Sequence, residues 1–181
     1  PRIRRFPSRR RGLIFCNRNE EASVFSECFN AMGYRTVALS GKDSDDTRNR
    51  YISMLESGKL EYIFTVDIFN EGIDIPSLNQ IIMLRRTESP IVFVQQLGRG
   101  LRLYENKEYT LVLDFIGNYQ QNYFIPIALS GDRTYNKDTL RNFVKEGSSS
   151  IPGCSTINFD SISERKIFRA LEGSRFCDSK L

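Results

Sequence analysis

The sequence predicts an α/β fold in which a mainly parallel sheet is covered by helices on both faces. Five short apolar runs, at 12–16, 35–39, 60–66, 80–84 and 109–115, are separated by segments with helical features. These runs are apolar throughout, which is typical of strands buried on both faces of a parallel sheet. Because ligands bind at the carboxyl edge of such a sheet, polar residues that follow the strands are candidate site residues.

The first helix is predicted to follow the first strand and to end at Gly33. Asn17 or Asn19 is expected to cap this helix, because Glu20 lies at the capping-box distance from Asn17. The spacing of the apolar residues predicts a stripe that faces the sheet. This stripe consists of Val24, Phe25, Cys28 and Phe29.

The second helix is predicted over 44–56, capped by Ser44 or Asp43 and stopped at Gly58. A third helix is predicted after Pro90.

Beyond residue 117 the pattern becomes mostly helical. A helix over 118–129 is expected to end or kink at Pro126, and a further helix is predicted over 137–145. A small strand over 156–159 is expected to precede a last helix that Ser161 caps.

These patterns divide the chain into three parts. Residues 1–11 hold six arginines and no acid, so they form either a basic arm that contacts nucleic-acid phosphates or a disordered terminal stub. Residues 12–116 form the α/β domain, and residues 117–181 form an accessory, mostly helical region. The aromatic side chains of this last region are expected in a core, with base stacking as the alternative.

Composition narrows the classes of function. The 181 residues are 40% hydrophobic and 27% charged, which is typical of a globular protein. No apolar run is long enough to span a bilayer, so we expect a cytoplasmic location and no membrane partner. The sequence has no histidine, which excludes Ser-His-Asp and Cys-His triads within it. Its four cysteines lack C-x-x-C spacing, so no metal site is predicted.

Two arginines three residues apart, Arg99 and Arg102, lie in a glycine-containing segment. On a helix Gln95 shares their face, whereas Leu97 falls on another. Grouped guanidinium groups suit the stabilisation of phosphate charge, although a solvated basic helix face is the alternative. Gly98 is a poor helix former, which suggests that backbone or ligand approaches closely here.

Four motifs in this order resemble the second RecA-like lobe of superfamily 2 helicases and translocases. They are Leu-Ile-Phe-Cys at 13–16, Leu-Ser-Gly-Lys at 39–42 followed by Arg48, Thr-Val-Asp-Ile-Phe-Asn-Glu-Gly-Ile-Asp-Ile-Pro at 65–76, and Gln-x-x-Gly-Arg-x-x-Arg at 95–102. The resemblance implies a RecA-like three-layer α/β/α domain with a small, mostly helical appendage. Gln95 and the segment 86–89 look more like restriction-enzyme and repair-type DNA translocases than like DEAD-box RNA helicases.

The resemblance also implies a role for each motif residue. Arg99 and Arg102 would be arginine fingers on the γ-phosphate of ATP, and Gln95 would position the nucleotide or the attacking water. Gly72 would let the backbone approach the nucleotide, and Asp74 would accept a hydrogen bond from the ribose. The residues that would bind the nucleic-acid backbone are Thr65, Asn17, Arg18, Ser40 and Lys42.

The sequence contains neither a Walker A segment nor an Asp-Glu box, since Gly41-Lys42 is followed by Asp43. ATP and its Mg²⁺ are therefore expected to be held mainly by an N-terminal RecA-like lobe of the same protein, and this chain alone is predicted not to hydrolyse ATP. We expect the second motor lobe of an ATP-dependent helicase or translocase that acts on nucleic acid, with DNA favoured over RNA. The alternative is a non-catalytic nucleic-acid-binding or interaction module that retains the fold.

Overall fold

The chain divides into two compact units in a computed structural model. Unit 1 comprises Pro1–Arg85 and Gln95–Phe115, and unit 2 comprises Arg86–Val94 and Ile116–Leu181. The structure describes residues 9–66, 75–85, 97–98, 102, 104–105, 107–115, 124–131, 134, 136–146 and 157–173. No helix within these ranges is long and apolar enough to cross a membrane.

The described part of unit 1 is built on a five-stranded parallel sheet in the order β2-β3-β1-β4-β5. Its strands are β1 (Gly12–Phe15), β2 (Thr36–Leu39), β3 (Tyr62–Thr65), β4 (Gln80–Met83) and β5 (Leu111–Asp114). Each lies within a predicted apolar run and is slightly shorter than it. The prediction of a parallel α/β sheet is confirmed.

The strand register aligns the carboxyl ends of all five strands in one row. The aligned residues are Leu39, Thr65, Phe15, Met83 and Asp114. Neighbouring strands lie about 4.8 Å apart, so the residues that follow these ends share one edge of the sheet. In the sheet, β2 and β3 lie on one side of β1, and β4 and β5 lie on its other side. The order of the strands therefore changes direction at β1. Such a switch in direction opens a crevice at the carboxyl ends of the strands.

Helices cover both faces of the sheet, as predicted for a RecA-like domain. Helix α1 (Asn19–Ala31) connects β1 to β2, and helix α2 (Asp45–Glu56) connects β2 to β3. These two crossovers run in opposite directions, so right-handed connections place α1 and α2 on opposite faces. The core on the α1 side contains Ile14, Cys16, Ala22, Tyr62 and Phe64. On α2, Ile52 and Leu55 are buried.

The buried face of α1 differs from the predicted one. Ala22 and Ser26 are buried, and Phe29 packs against the core. The other residues of the predicted stripe are exposed: Val24, Phe25 and Cys28. Ser26 Oγ lies 2.8 Å from Thr36 Oγ1 on β2, in hydrogen-bond contact. Because of this contact, the Ser26 side of α1 packs against the sheet. The periodicity of apolar residues does not reveal a contact between two polar side chains.

The cap of α1 also differs from the prediction. Arg18 occupies the cap position without a side-chain hydrogen bond, so the predicted capping by Asn17 or Asn19 is wrong. The amide of Asn17 instead donates to the Leu84 carbonyl, at 3.2 Å. At α2, Ser44 Oγ accepts from the N–H three residues on, at 3.3 Å, as predicted.

The described end of the basic segment is tied to the amino edge of the sheet. Arg10 Nη1 lies 3.4 Å from a Glu61 carboxylate oxygen, and its guanidinium lies 5.4 Å from the centroid of the Tyr34 ring. Arg11 Nε donates to the carbonyl of Glu56 at 3.0 Å. That carbonyl belongs to the last residue of α2, where the helix dipole favours a cation. These two arginines therefore lie at the edge opposite the carboxyl ends of the strands.

The described part of unit 2 is helical, in agreement with the sequence. It contains α3 (Phe124–Ser130), α4 (Lys137–Glu146) and α5 (Ser161–Gly173), and α4 packs against both others. Arg141 of α4 also reaches Glu172 of α5, with Nη2 and Oε1 3.8 Å apart. Pro126 lies within α3, which continues to Ser130, so the expected end of a helix at Pro126 is wrong. Residues 118–123 of the predicted helix lie outside the described residues.

The approach to α5 differs from the prediction. Residues 157–159 are not a strand. Asp160 Oδ1 accepts from the N–H groups of Ile162 and Ser163 at 2.9 and 3.0 Å, so Asp160, rather than Ser161, caps the helix. Hydrogen bonds from the Ser163 hydroxyl and from the Ser163 N–H are the main reason that the pKa of the Asp160 carboxyl is lowered. A charged cap that accepts several hydrogen bonds is a stronger competitor for these donors than a hydroxyl.

Candidate functional site

The segments predicted to face a nucleotide lie mostly outside the described residues. Those outside are Gln95, Arg99, Gly72 and Asp74, so their roles stay predictions. Arg102 is described and exposed. Leu97 and Gly98 are helical, and Leu97 is buried, as expected for the apolar side of the predicted arginine helix.

Lys107 fixes the backbone next to the predicted ribose acceptor. Its Nζ donates to the carbonyl of Pro76 at 2.8 Å, and burial lowers the pKa of this lysine. Pro76 follows Asp74 by two residues in the chain. Lys107 therefore ties the segment after Arg102 to the segment after Asp74. Sequence reasoning missed this contact because lysine in a loop carries no pattern of its own.

The residues predicted to bind nucleic acid all lie at the carboxyl edge of the sheet. Thr65 ends β3 and is fully buried there. Its hydroxyl has no hydrogen-bond partner within the described part of the chain. Burying a hydroxyl without a partner costs about 1–3 kcal/mol. The Thr65 hydroxyl is thus an unused donor directly beneath the edge where ligands bind in this class of sheet.

Asn17 and Arg18 follow β1 and are both exposed. One N–H of the Asn17 side chain is used by the Leu84 carbonyl, which joins the end of β1 to the end of β4. Arg18 stands at the start of α1, where the helix dipole favours an anion. Since Glu20 and Glu21 occupy the first turn of α1, Arg18 supplies the positive charge of this segment.

The residues after β2 form a tight turn, Ser40–Asp43. Asp43 Oδ2 accepts from the N–H of Ser40 at 2.6 Å and from its hydroxyl at 3.0 Å. The N–H of Lys42 donates to Ser40 Oγ at 3.3 Å. Ser40 thus shapes the turn, and a direct contact with phosphate requires its bond to the Asp43 carboxylate to break. Lys42 is exposed in the turn.

Two further arginines contact this edge, and sequence reasoning gave neither of them a role. Arg85 directly follows β4, and its Nη1 donates to the Val66 carbonyl at 3.1 Å. Arg48 of α2 donates from Nη2 to the Gly41 carbonyl at 3.0 Å. The position of Arg85 immediately after an apolar strand was the signal available for the first. The motif spacing marked the second without showing what it contacts.

The described edge offers hydrogen-bond donors and positive charge rather than a nucleophile. Cys16 lies at this edge, but burial, helped by the nearby Glu21 carboxylate, raises the pKa of its thiol to about 12. A thiol of that pKa remains protonated at neutral pH and does not attack a substrate. Cationic and neutral donors at a strand edge are suited to binding a phosphate backbone.

The parallel sheet with a helix on each face and a donor-bearing carboxyl edge defines a RecA-like lobe. Residues 4–104 match the family model described as the helicase conserved C-terminal domain. This match covers more than half of the 181 residues, and the chain belongs to that family.

Curated relatives carry helicase names. The chain is 30% identical over 105 residues to the putative ATP-dependent helicase IRC3 of Saccharomyces cerevisiae, a match that covers 58% of this chain and 15% of that protein. It is 29% identical over 142 residues to the putative mitochondrial ATP-dependent helicase irc3 of Schizosaccharomyces pombe, which covers 77% of this chain and 23% of that protein. The chain therefore spans less than a quarter of the length of these two relatives.

Solved structures show the same fold. The yeast DEAD-box splicing factor Prp28 matches with a TM-score of 0.62 and 16% identity, over 88% of this chain and 31% of that one. The Escherichia coli DEAD-box protein SrmB, solved with the regulator of ribonuclease activity A, matches with a TM-score of 0.53 and 20% identity, over 61% of this chain and 64% of that one. The prediction of a helicase-type RecA-like lobe is confirmed.

Proposed function

We propose that this chain is the second motor lobe of an ATP-dependent nucleic-acid helicase or translocase, and that its carboxyl edge grips the nucleic-acid backbone. The observation that carries the proposal is the buried hydroxyl of Thr65, which has no hydrogen-bond partner among the described residues and lies in line with the ends of β1 and β2. An unsatisfied donor at the ligand edge is destabilising on its own, and a phosphate oxygen would satisfy it.

The surrounding charges support the same proposal. Arg18 and Lys42 are exposed beyond the ends of β1 and β2, on the two strands that flank β3. Phosphates of a strand that crosses this edge would meet these cations on either side of the strand end that carries Thr65. Asn17 contributes by holding the end of β1 to the end of β4. Such contacts position a backbone without reading its sequence.

The nucleotide half of the proposal rests on family membership and on the motif residues. Arg99 and Arg102 would contact the γ-phosphate, and Gln95 would position the nucleotide or the attacking water. Gly72 would let the backbone approach the nucleotide, and Asp74 would accept a hydrogen bond from the ribose. ATP and Mg²⁺ would be held mainly by an N-terminal lobe. The relatives named ATP-dependent helicases support this part of the proposal.

We propose DNA as the strand, on the resemblance of Gln95 and the segment 86–89 to DNA translocases. RNA is the second candidate, because other relatives are named RNA helicases, among them the ATP-dependent RNA helicase SrmB of Haemophilus influenzae, 29% identical over 92 residues. The chain is first bound to a labelled oligonucleotide, and unlabelled oligo(dT) and oligo(U) are compared as competitors. DNA is supported if oligo(dT) displaces the label at the lower concentration, and RNA if oligo(U) does.

Replacing Thr65 with valine tests the backbone-binding edge. The substitution removes the unpartnered hydroxyl and keeps the branched shape, so the free energy of unfolding is expected to rise by up to about 1–3 kcal/mol. Binding should weaken, because a hydrogen bond to a charged group contributes about 1.5–3 kcal/mol, or roughly 10- to 100-fold in Kd. Urea unfolding and fluorescence anisotropy with fluorescein-labelled oligo(dT) measure the two effects.

Thr36→Val is the matched control. Thr36 is also a buried threonine, but its hydroxyl donates to the Ser26 carbonyl at 3.0 Å, at the opposite edge of the sheet. We expect this variant to lose stability and to keep its affinity. A Thr65→Val chain that binds as tightly as the unaltered chain would contradict the role of Thr65.

The nucleotide half is tested in the full-length gene product. Arg99→Ala is expected to abolish ATP turnover and largely to spare nucleic-acid binding. Normal turnover by this variant would show that Arg99 is not a finger. Absence of ATP turnover by the unaltered full-length protein would favour a non-catalytic binding module.

A further inference from the structure

Arg48 joins three parts of the segment that follows β2. It lies near the start of α2, and its Nη1 lies 3.1 Å from Asp45 Oδ1. Its Nη2 donates to the Gly41 carbonyl at 3.0 Å. The Arg48 side chain is 20% exposed, whereas that of Asp45 is 90% exposed. Asp45 thus orients the guanidinium, and the guanidinium holds the peptide between Gly41 and Lys42.

The turn that Arg48 contacts has few other restraints beyond its own hydrogen bonds. Ser40 and Asp43 close the turn between themselves, with the N–H of Asp43 donating to the Ser40 carbonyl at 3.1 Å. Gly41 would meet nothing within 4 Å if it carried a Cβ, so packing does not fix this residue. The Arg48 bond therefore adds a side-chain link between Gly41 in the turn and the first turn of α2.

We propose that Arg48 is a positioning residue that presents Lys42 to the nucleic-acid backbone, rather than a phosphate ligand itself. The inference rests on the proposed function of the carboxyl edge. Both terminal nitrogens of Arg48 are engaged by protein oxygens, and its Nε is buried without a partner in the described part of the chain. The Lys42 side chain in contrast is exposed, and its ammonium group makes no hydrogen bond or ion pair with the described residues.

The geometry requires arginine for this task. A planar guanidinium presents several donors in a rigid fork, so one side chain serves the carboxylate of Asp45 and the carbonyl of Gly41 together. A lysine has one ammonium on a flexible stem and keeps the charge without the fork. Arg48→Lys therefore separates positioning from charge.

A double-mutant cycle on the 181-residue chain tests the proposal. Binding of fluorescein-labelled oligo(dT) is measured between about 50 and 200 mM salt, where each lost phosphate contact lowers the salt slope by about 0.7 for a single strand. Lys42→Met should lower the slope by one such step. Arg48→Met and Arg48→Lys should each lower the salt slope nearly as much as Lys42→Met does. Adding Lys42→Met to either Arg48 variant should lower the slope little further.

Arg50→Met is the matched control, because Arg50 is an exposed arginine two residues along the same helix, with its guanidinium 5.9 Å from the Tyr51 ring centroid. It should leave the slope unchanged. Should Arg48→Met fail to fold, Asp45→Asn loosens the guanidinium more mildly and should shift the slope in the same direction.

Additive losses for Arg48 and Lys42, or full binding by Arg48→Lys, would show that Arg48 contacts phosphate directly and would overturn the inference alone. Absence of binding by the unaltered chain would contradict the proposed function and the inference with it.

Discussion

Gly12→Ala is expected to destabilise the sheet of unit 1. Gly12 begins β1 beside Tyr62 on β3, and a Cβ at this position would overlap Tyr62 Cδ1 and lie 2.6 Å from Cε1. Two carbon atoms prefer about 3.5–4.0 Å, so the ring has to move by about 1 Å.

The Tyr62 ring is held on two sides. Its hydroxyl donates to Gln80 Oε1 at 2.6 Å, and the ring meets Phe29 edge-on with centroids 6.0 Å apart. Overpacking costs about 1–3 kcal/mol, and a broken buried hydrogen bond costs about 1–3 kcal/mol more. Alanine regains about 0.5–1 kcal/mol over glycine in a strand. The net loss is about 2 kcal/mol or more, which lowers Tm by about 4–8 °C.

Thermal unfolding followed by far-UV circular dichroism measures this effect. Gly98→Ala is the matched control, since Gly98 is helical and a Cβ there meets nothing within 4 Å. This control should gain up to about 1 kcal/mol, because alanine is the better helix former. A Gly12→Ala chain with the Tm of the unaltered protein would refute the packing of β1 against Tyr62.

Two further predictions concern the reactivity of the cysteines and a contact at the amino edge of the sheet. Exposed Cys28 should react rapidly with iodoacetamide while buried Cys16, with its raised pKa, stays unmodified; site-resolved mass spectrometry showing equal rates without denaturant would contradict this. Asn79→Ala should lower the free energy of unfolding by about 1–3 kcal/mol and so lower the urea midpoint. The reason is that Asn79 accepts from the Arg11 N–H at 3.0 Å and donates to the Arg9 carbonyl at 2.8 Å. An unchanged midpoint would show that these bonds contribute nothing.

The sequence predicted the sheet well because its signal is local. Runs such as Leu13-Ile-Phe and Tyr62-Ile-Phe are apolar at every position, and they form strands buried on both faces. The face that α1 turns toward the sheet includes a polar contact between Ser26 and Thr36. A search for a hydrophobic stripe does not find such a contact, because both residues are polar. The start of α5 depended on whether Asp160 or Ser161 captured the free N–H groups, and both are good capping residues.

The candidate site was predictable as a location but not as a network. Strand ends meet at one edge in any parallel sheet, so the grouping of Thr65, Arg18 and Lys42 followed from the fold. Whether the hydroxyl of Thr65 finds a partner, and which carbonyl Arg48 contacts, depends on three-dimensional distances that residue order does not contain.

Hydrogen–deuterium exchange of the chain with and without oligo(dT) tests the central claim most directly. If the carboxyl edge grips the backbone, exchange should slow at 16–18 and 40–43, where the amides follow β1 and β2. Protection confined to the amino edge, at 9–11 and 58–61, or protection nowhere, would contradict this account of the site.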